Sequence, residues 1–383
     1  MKILHLFSNT KLTGPAEPAI NLCASLKDLG HNVMFACCTS SRTGSTSVLA
    51  TATEKGLSPI TRFRLNKHLN IRDNMYDLRR LPAFLMENRI SVVHAHMDND
   101  HLVGGRSSRK ADPKISIVRS CYSGDGLKPS LRAQYLLRKL TDGLIVASES
   151  AKASILENFP FPEDRIWVVN GAVDTDRFNR SEALTGTRSR FELGDEDFVF
   201  GVVARIQPHR RFDVILEAMK RVSARDPAAR LLIVGRGTRM REVAVEPVRR
   251  MRLEGCIKFA GYQVGRDYVD TLACLDALIF LMPGTDGTCR AVREAMAMGR
   301  PIIAARRGML PEIVDHAVNG LVIEDNPETL AEAMRYLVRN REVAKSMSAQ
   351  SFKKAREEFR LDTQAREVGR IYEEVAKLGR LAT

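Results

Sequence analysis

Short apolar runs alternate with stretches whose apolar residues recur every three or four positions along almost the whole of this 383-residue chain. Runs of the first kind, bounded by turn residues, predict strands buried on both faces, and the second kind predicts helices packed over them. In the first half the strands are expected at Lys2 to Phe7, Asn32 to Cys38, Ser91 to Ala95, Ile115 to Val118, Leu144 to Ala147 and Ile166 to Val169. The second half repeats the theme at Phe198 to Ala204, Arg230 to Val234, Ile257 to Phe259, Ala277 to Leu281, Pro301 to Ala304 and Gly320 to Ile323. Such alternation predicts α/β architecture with parallel sheets. The chain is long enough for two cores. The polar, aperiodic stretch Asn179 to Ser189 separates the two sets and reads as a linker. Two Rossmann-like domains are therefore expected, over residues 1–178 and 190–362. After them, Ala365, Val368, Ile371, Tyr372 and Val375 fall at helical spacing, and Ala19 to Leu29 reads as a helix that stops at Gly30.

Composition narrows the class. Hydrophobic residues make up 44% and charged residues 27%, as in a soluble globular protein. No run reaches the ~18 apolar residues that cross a bilayer. The opening apolar stretch to Phe7 meets Ser8-Asn9-Thr10-Lys11 too soon for a secretory signal. Seven cysteines, odd in number, scattered and without a Cys-x-x-Cys pair, read as reduced packing residues of a cytoplasmic protein.

A net charge of +13 changes the picture more. Arg106, Arg109, Lys110, Lys114, Arg119, Lys128, Arg132, Arg138 and Lys139 face only Asp112 and Asp125, with Leu131, Tyr135, Leu136 and Leu140 at helical spacing among them. This is the make-up of a basic amphipathic helix that lies on an anionic membrane, here the inner face of the cell membrane. It is equally that of a solvated charged face over a core stripe. Nucleic acid fits less well, because no recognition motif is present and aromatics, 6% of residues, do not interleave with the basic cluster.

Candidate chemistry gathers where predicted strands end. From Ala277 an apolar run leads through Pro283-Gly284-Thr285-Asp286-Gly287-Thr288-Cys289 into a helical segment that Gly299-Arg300-Pro301 stops, a βαβ unit with Asp286 and Glu294 at its turn. Ligands bind such folds outside the carboxyl ends of parallel strands. Phe198 to Ala204 leads in the same way into Arg205-Ile206-Gln207-Pro208-His209-Arg210-Arg211, where cations at a helix start oppose the helix dipole and want an anion. Gly14-Pro15 opens the first predicted helix. Gly235-Arg236-Gly237 follows a strand, but Met240 stands where a dinucleotide fingerprint needs glycine.

Taken together, these motifs resemble the family 4 retaining glycosyltransferases of the GT-B fold, over nearly the whole chain and most densely from Phe198 to Ile323. The acidic pair keeps the family's spacing, with Asp286 for the first Glu, followed by Ala295-Met296 and Gly299-x-Pro301. Gly201 to Asp213 is similar to the family's Gly-Arg-x-x-x-x-Lys-Gly signature, with Arg210 for Lys and Arg211 for Gly. Gly235-x-Gly237 and Asn170-Gly171-Ala172-Val173-Asp174 match further family turns.

The resemblance implies two domains facing a cleft, donor on the second and acceptor on the first, and a C-terminal helix (363–383) that crosses back to the first. It implies that Arg205 and Arg210 stabilise the departing diphosphate, Glu294 accepts from the ribose hydroxyls and Asp286 from the donor sugar. Backbone N–H groups of Gly287, Thr288 and Cys289, with Gly14 and Gly235, would approach the sugar and phosphates. Pro15 replaces a second loop glycine and has no N–H to give. Cys289 and Thr288 stand where a Gly and an aromatic are usual. No histidine occurs where the family's first-domain catalytic His is expected, so Tyr122 or His96 takes that place.

The resemblance further implies transfer from a UDP- or GDP-type nucleotide sugar, a substrate rather than a cofactor, to a glycan or lipid-linked hydroxyl of the cell envelope, with no metal. His94-Ala95-His96-Met97-Asp98-Asn99-Asp100-His101 has the residue types of a metal site, but the reading adopted is a strand end at the cleft. The alternatives are a nucleotide-sugar epimerase on the same fold and a non-enzymatic basic binding protein.

Overall fold

A computed structural model describes residues 1–12, 14–38, 47–182, 186–282 and 289–379. Two compact units are present: Met1–Gly171 together with the chain from Leu361, and Ala172–Arg360. The polar segment Asn179 to Ser189 lies inside the second unit, and the chain passes between units at Gly171 and again at Arg360.

Among the described residues twelve strands form, where twelve apolar runs stand. In the first unit they are β1 (Lys2–Phe7), β2 (Asn32–Cys37), β3 (Val92–Ala95), β4 (Ser116–Cys121), β5 (Gly143–Val146) and β6 (Ile166–Val168). In the second they are β7 (Phe198–Val203), β8 (Ala229–Val234), β9 (Ile257–Gly261), β10 (Ala277–Phe280), β11 (Ile302–Ala305) and β12 (Gly320–Ile323). Each unit holds one six-stranded sheet, in the orders β2-β1-β3-β4-β5-β6 and β12-β11-β10-β7-β8-β9. Every pairing is parallel.

Two strands run on past their expected ends, β9 to Gly261 and, further, β4. β4 runs on to Cys121 instead of stopping at Val118, because Arg119 and Ser120 are buried, with Arg119 Nη2 donating to Asp98 and Ser120 Oγ hydrogen-bonded to His94. The first helix, Ala16–Asp28, also starts earlier than Ala19. Pro15 and Pro18 fall at its N-cap and in its first turn, where an N–H would lack a partner in any case.

The C-terminal helix Leu361–Leu378 belongs to the first unit. Ala365, Val368, Ile371, Tyr372 and Val375 share a core with Ile3, Leu26, Val92, Val118 and Ile145. Each large apolar side chain buried there stabilises the packing by ~1.5–3 kcal/mol before ordering entropy is subtracted. Trp167 Nε1 donates to Glu374 at 2.8 Å, and Arg165 donates to the carbonyls of Leu378 at 3.2 Å and Gly379 at 2.8 Å, which holds the helix end. Among the described residues no helix is long and apolar enough to cross a membrane. All seven cysteines are free, and all but Cys38 are buried.

The strand orders fix where a ligand can sit. In the first sheet the chain steps from β1 outward to β2, then returns to place β3 on the other side of β1. In the second it steps from β7 through β8 to β9, then returns to place β10 beside β7. Crossovers leave opposite faces at these two points and open a crevice at the strands' carboxyl ends.

Candidate active site

In the second unit, the predicted donor residues follow the strands that flank its crevice. Arg205 stands two residues past β7 and is exposed, with no ion-pair or hydrogen-bond partner among the described residues. Gly235 and Gly237 hold the chain behind it. Ile206 N–H donates to the Arg236 carbonyl at 3.1 Å and Ala204 N–H to that of Val234 at 3.1 Å, so the two loops run side by side. A Cβ on Gly235 would lie 1.9 Å from the Ala204 oxygen, and one on Gly237 would lie 1.9 Å from the Ile206 oxygen. Both glycines are therefore required for the approach that sets Arg205 at the strand end.

Arg210 Nη1 donates to the Met282 carbonyl at 3.0 Å, which ties the chain after β7 to the chain after β10. Arg211 has another task. Its Nε lies 2.9 Å from Asp325 Oδ2 and 3.0 Å from Oδ1, with the Asp325 side chain 6% exposed. The anion expected at this basic helix start is thus met, for Arg211, by the protein's own carboxylate.

Beyond β10, Asp286, Gly287 and Thr288 lie outside the described residues. Cys289 is buried at the N-cap of the Arg290–Ala297 helix. Glu294 on that helix is 4% exposed and held from two sides: Tyr268 Oη donates to Oε2 at 2.6 Å and Arg290 Nε lies 3.2 Å from Oε1. Burial, and then the adjacent Glu294 charge, push the Tyr268 phenol well up, so it stays a donor. The carboxylate is fixed before any ligand arrives.

Two departures from the family pattern are absorbed by the backbone. Arg211 (φ 59°, ψ 33°) and Cys289 (φ 48°, ψ 45°) both adopt the left-handed conformation that a glycine takes freely. An L-residue pays ~1–2 kcal/mol there. The Asp325 clamp on Arg211 and the complete burial of Cys289 offset that cost.

The first unit presents a different surface. Gly14 lies in an exposed turn before the first helix, and Pro15 is its N-cap. Asp100, fully buried, accepts the Ser8 N–H at 2.9 Å and the Met97 N–H at 2.8 Å, and so ties together the ends of β1 and β3. Burial pushes its carboxyl up to about 7 against the pull of Arg119 and these N–H groups.

His96 and Tyr122, each one residue past its strand, meet at the crevice, with His96 Nδ1 at 2.7 Å from Tyr122 Oη. His96 Nε2 lies 2.9 Å from His5 Nδ1. His94 lies 2.6 Å from Tyr372 Oη through Nδ1 and 2.8 Å from Ser120 Oγ through Nε2. Ligand atoms of His5, His94 and His96 come within 4.8 Å of one another, so the His94 and His96 pair gains His5 rather than Asp98 as its third member. Asp98 instead pairs with Arg119 at 2.9 Å. Burial drives His5 down to about 3 and, with mutual repulsion and Arg119, holds His94 and His96 well below the ordinary imidazole value.

The basic stretch is less uniform than its composition. Arg109 pairs with Asp142 at 2.6 Å and Arg119 is buried between Asp98 and Asp100. On the Leu131–Leu140 helix, Leu136 and Leu140 turn inward while Leu131, 87% exposed, and Tyr135 stand outside beside Arg132, Arg138 and Lys139.

Family models match both units. "Glycosyltransferase Family 4" matches residues 14–177 and "Glycosyl transferases group 1" matches residues 197–340, together most of the chain. The protein belongs to the family 4 glycosyltransferases of the GT-B fold. It is similar to the D-inositol 3-phosphate glycosyltransferase of Corynebacterium jeikeium, 26% identical over 272 residues, 68% of this chain and 64% of that one. It is also similar to the GDP-mannose-dependent alpha-(1-6)-phosphatidylinositol monomannoside mannosyltransferase of Mycobacterium tuberculosis, 28% identical over 247 residues, 61% of this chain and 63% of that one. In both, the match spans a little under two thirds of the relative's length. The crystal structure of Anabaena Alr3699/HepE in complex with UDP matches the fold with a TM-score of 0.81 at 17% identity, over 98% of this chain and 100% of that one.

Tyr268, His5, Ser120 and Tyr372 had no place in the sequence reading of the site. His94 and His96, two residues apart, fall on one face by strand alternation, and His5, opposite His94 in the β1/β3 register, falls on that face too. No comparable signal marks Tyr268 or Tyr372.

Proposed function

We propose that the protein is a retaining glycosyltransferase that moves a hexosyl unit from a UDP- or GDP-type nucleotide sugar to a hydroxyl acceptor. The observation that carries this reading is the convergence, on neighbouring strand ends of the second sheet, of an unpaired exposed Arg205, the glycine-backed loop at Gly235 and a prepositioned Glu294 carboxylate. Ribose hydroxyls donate to Glu294. Arg205 and Arg210 face the diphosphate, whose negative charge grows as the bond to the anomeric carbon breaks. Two guanidinium groups aimed there supply what a divalent ion would otherwise bring, which supports metal-independent transfer. The binding of UDP by the Anabaena protein supports the same donor class.

Retention follows from same-face substitution. The acceptor oxygen bonds to the anomeric carbon on the face from which the phosphate oxygen leaves, and the acceptor's proton passes to that phosphate. The relatives' phosphatidylinositol and inositol phosphate names support an anionic or lipid-linked acceptor. The exposed Leu131 and Tyr135 beside three cations support delivery from an anionic membrane surface.

Thermal stabilisation by a panel of UDP-, GDP- and ADP-sugars tests the reading, because a ligand specific to the native state raises the melting temperature. A shift with one nucleotide class, lost in Glu294→Gln, is expected; no shift with any nucleotide at millimolar concentration overturns the proposal.

A further inference from the structure

Six buried or half-buried side chains of the first unit form an unbroken chain of hydrogen bonds. Starting at the crevice, Tyr122 Oη meets His96 Nδ1 at 2.7 Å, His96 Nε2 meets His5 Nδ1 at 2.9 Å, and His5 Nε2 meets Tyr372 Oη at 3.3 Å. Tyr372 Oη then meets His94 Nδ1 at 2.6 Å, and His94 Nε2 meets Ser120 Oγ at 2.8 Å. β1, β3, β4 and the C-terminal helix each contribute.

Proton counting restricts this chain severely. A neutral imidazole carries one N–H and one bare nitrogen, and a hydroxyl carries one proton. An imidazole that accepts on one side must donate on the other. Tyr372 is fully buried, and among the described residues its hydroxyl bonds to His5 and His94, so it too must accept from one and donate to the other. The sense of donation therefore passes unbroken along the chain, and two arrangements remain. In one, Tyr122 donates to His96 and all three histidines carry the proton on Nε2. In the other, His96 donates to Tyr122 and all three carry it on Nδ1. The depressed basicity of all three histidines is in keeping with one proton on each. Every ring nitrogen is satisfied by a neighbour, which leaves no bare donor set for a metal ion.

We infer that Tyr372 is a positioning residue that couples His94 to His5 and His96, locks the three into one shared tautomer, and so sets the hydrogen-bonding role of Tyr122 at the crevice. With the protons on Nε2, Tyr122 donates to His96 and offers a lone pair outward; with the protons on Nδ1, it accepts from His96 and offers its own proton outward. The partner it suits in either state is a hydroxyl group, which both donates and accepts; that this is a sugar hydroxyl rests on the glycosyltransferase reading above.

Long-range proton–nitrogen correlation spectra of the full-length protein, labelled with 15N-histidine and free of substrate, test the inference separately from any activity. The wild-type protein is expected to show His5, His94 and His96 as neutral imidazoles of one common tautomer. Mixed tautomers among the three, or an imidazolium at pH 7, overturn the proposal. So does a change of these resonances on adding stoichiometric Zn²⁺, which would make the cluster a metal site. In Tyr372→Phe the link between His5 and His94 is cut, so His94 is expected to lose the shared tautomer while His5 and His96 stay matched. Retention of the common tautomer by all three in that variant also overturns the role of Tyr372. If the variant does not fold, the wild-type spectrum still decides. With a donor and acceptor in hand, Tyr372→Phe should lower kcat by about tenfold or more at nearly unchanged KM for the nucleotide sugar. If the spectra behave as stated but no nucleotide sugar is turned over, the glycosyltransferase reading fails and the shared tautomer stands.

Discussion

The crevices of the two sheets are formed by the same topological reversal and lined by opposite chemistry. In the first unit the histidines are buried, held neutral and linked to one another by hydrogen bonds, with Asp100 holding the ends of β1 and β3 beside them. In the second an exposed, unpaired Arg205 stands on a glycine-backed loop, with Glu294 already oriented nearby on its own helix. A neutral lattice has directional hydrogen bonds and suits a hydroxylated ligand, while free cations suit a diphosphate. Each crevice should therefore fail under a different insult, the first when protons are added and the second when charge is removed.

Acid should produce the largest effect, and in the first unit. The three histidines are held neutral in the fold but bind protons in the unfolded chain below their ordinary value of 6.5. The unfolded state then holds more protons, so stability is fully present above pH 6.5 and is lost as pH falls toward about 3, by up to ~1.4 kcal/mol per pH unit for each histidine. Asp100 acts in the opposite sense between its unfolded value of 3.8 and its folded value of about 7, joined by the raised carboxyls of Asp77 and Glu367, while buried His101, lowered to about 3, adds to the three histidines. Urea unfolding between pH 7.5 and 5 should show stability dropping steeply. A flat profile would mean the histidines are not buried and neutral.

Removal of charge from the second crevice comes next. Arg205→Ala should lower turnover by ~10²–10³, the usual cost of one electrostatic stabiliser of the transition state, with the unfolding profile of the first unit unmoved. Steady-state kinetics with Arg205→Lys as a partial rescue measures it; wild-type turnover in the Ala variant would remove Arg205 from the site.

Glu294→Gln and Tyr268→Phe should weaken nucleotide affinity to different extents. The first loses a charged acceptor, worth ~1.5–3 kcal/mol, and the second only the bond that aims it, worth ~0.5–1.5 kcal/mol. Calorimetric titration orders the two. A larger loss in Tyr268→Phe would mean that the carboxylate does not touch the ligand.

Smaller still is the contribution of the outer helix of the first unit. Changing Arg132, Arg138 and Lys139 to Gln should weaken flotation with acidic vesicles by about 1 kcal/mol each, and added salt should do the same. Equal partition onto neutral and acidic vesicles would leave the patch as ordinary surface charge. Chelators should change nothing, and activity lost in EDTA and restored by a divalent ion would return the histidine cluster to consideration as a metal site.

The fold was legible because parallel strands buried on both faces are written as continuous apolar runs. It was illegible where polar residues are buried in pairs, as at Arg119 and Ser120 in β4, whose partners lie in other elements. The crevice of the second unit was legible in part, since Arg205, Arg210, Gly235 and Glu294 sit within motifs of fixed spacing. The partners that hold them were not: Tyr268 reaches Glu294 from 26 residues away. His5 reads as one polar position in an apolar strand, and its meaning depends on Tyr372, 367 residues further on. Arg211 and Cys289 signalled trouble by standing where glycine is usual, but only the backbone shows that they take the glycine conformation.

The return of the C-terminal helix to the first unit has a consequence for how the protein is made. Chains leave the ribosome from the N-terminus, and domains generally fold as they emerge. The first sheet is complete at Val168, yet the hydroxyl that bridges two of its histidines arrives only with Tyr372, after all of Ala172–Arg360 has been synthesised. The unit that begins first is thus finished last, and until then its histidines lack the partner that keeps them neutral and in step.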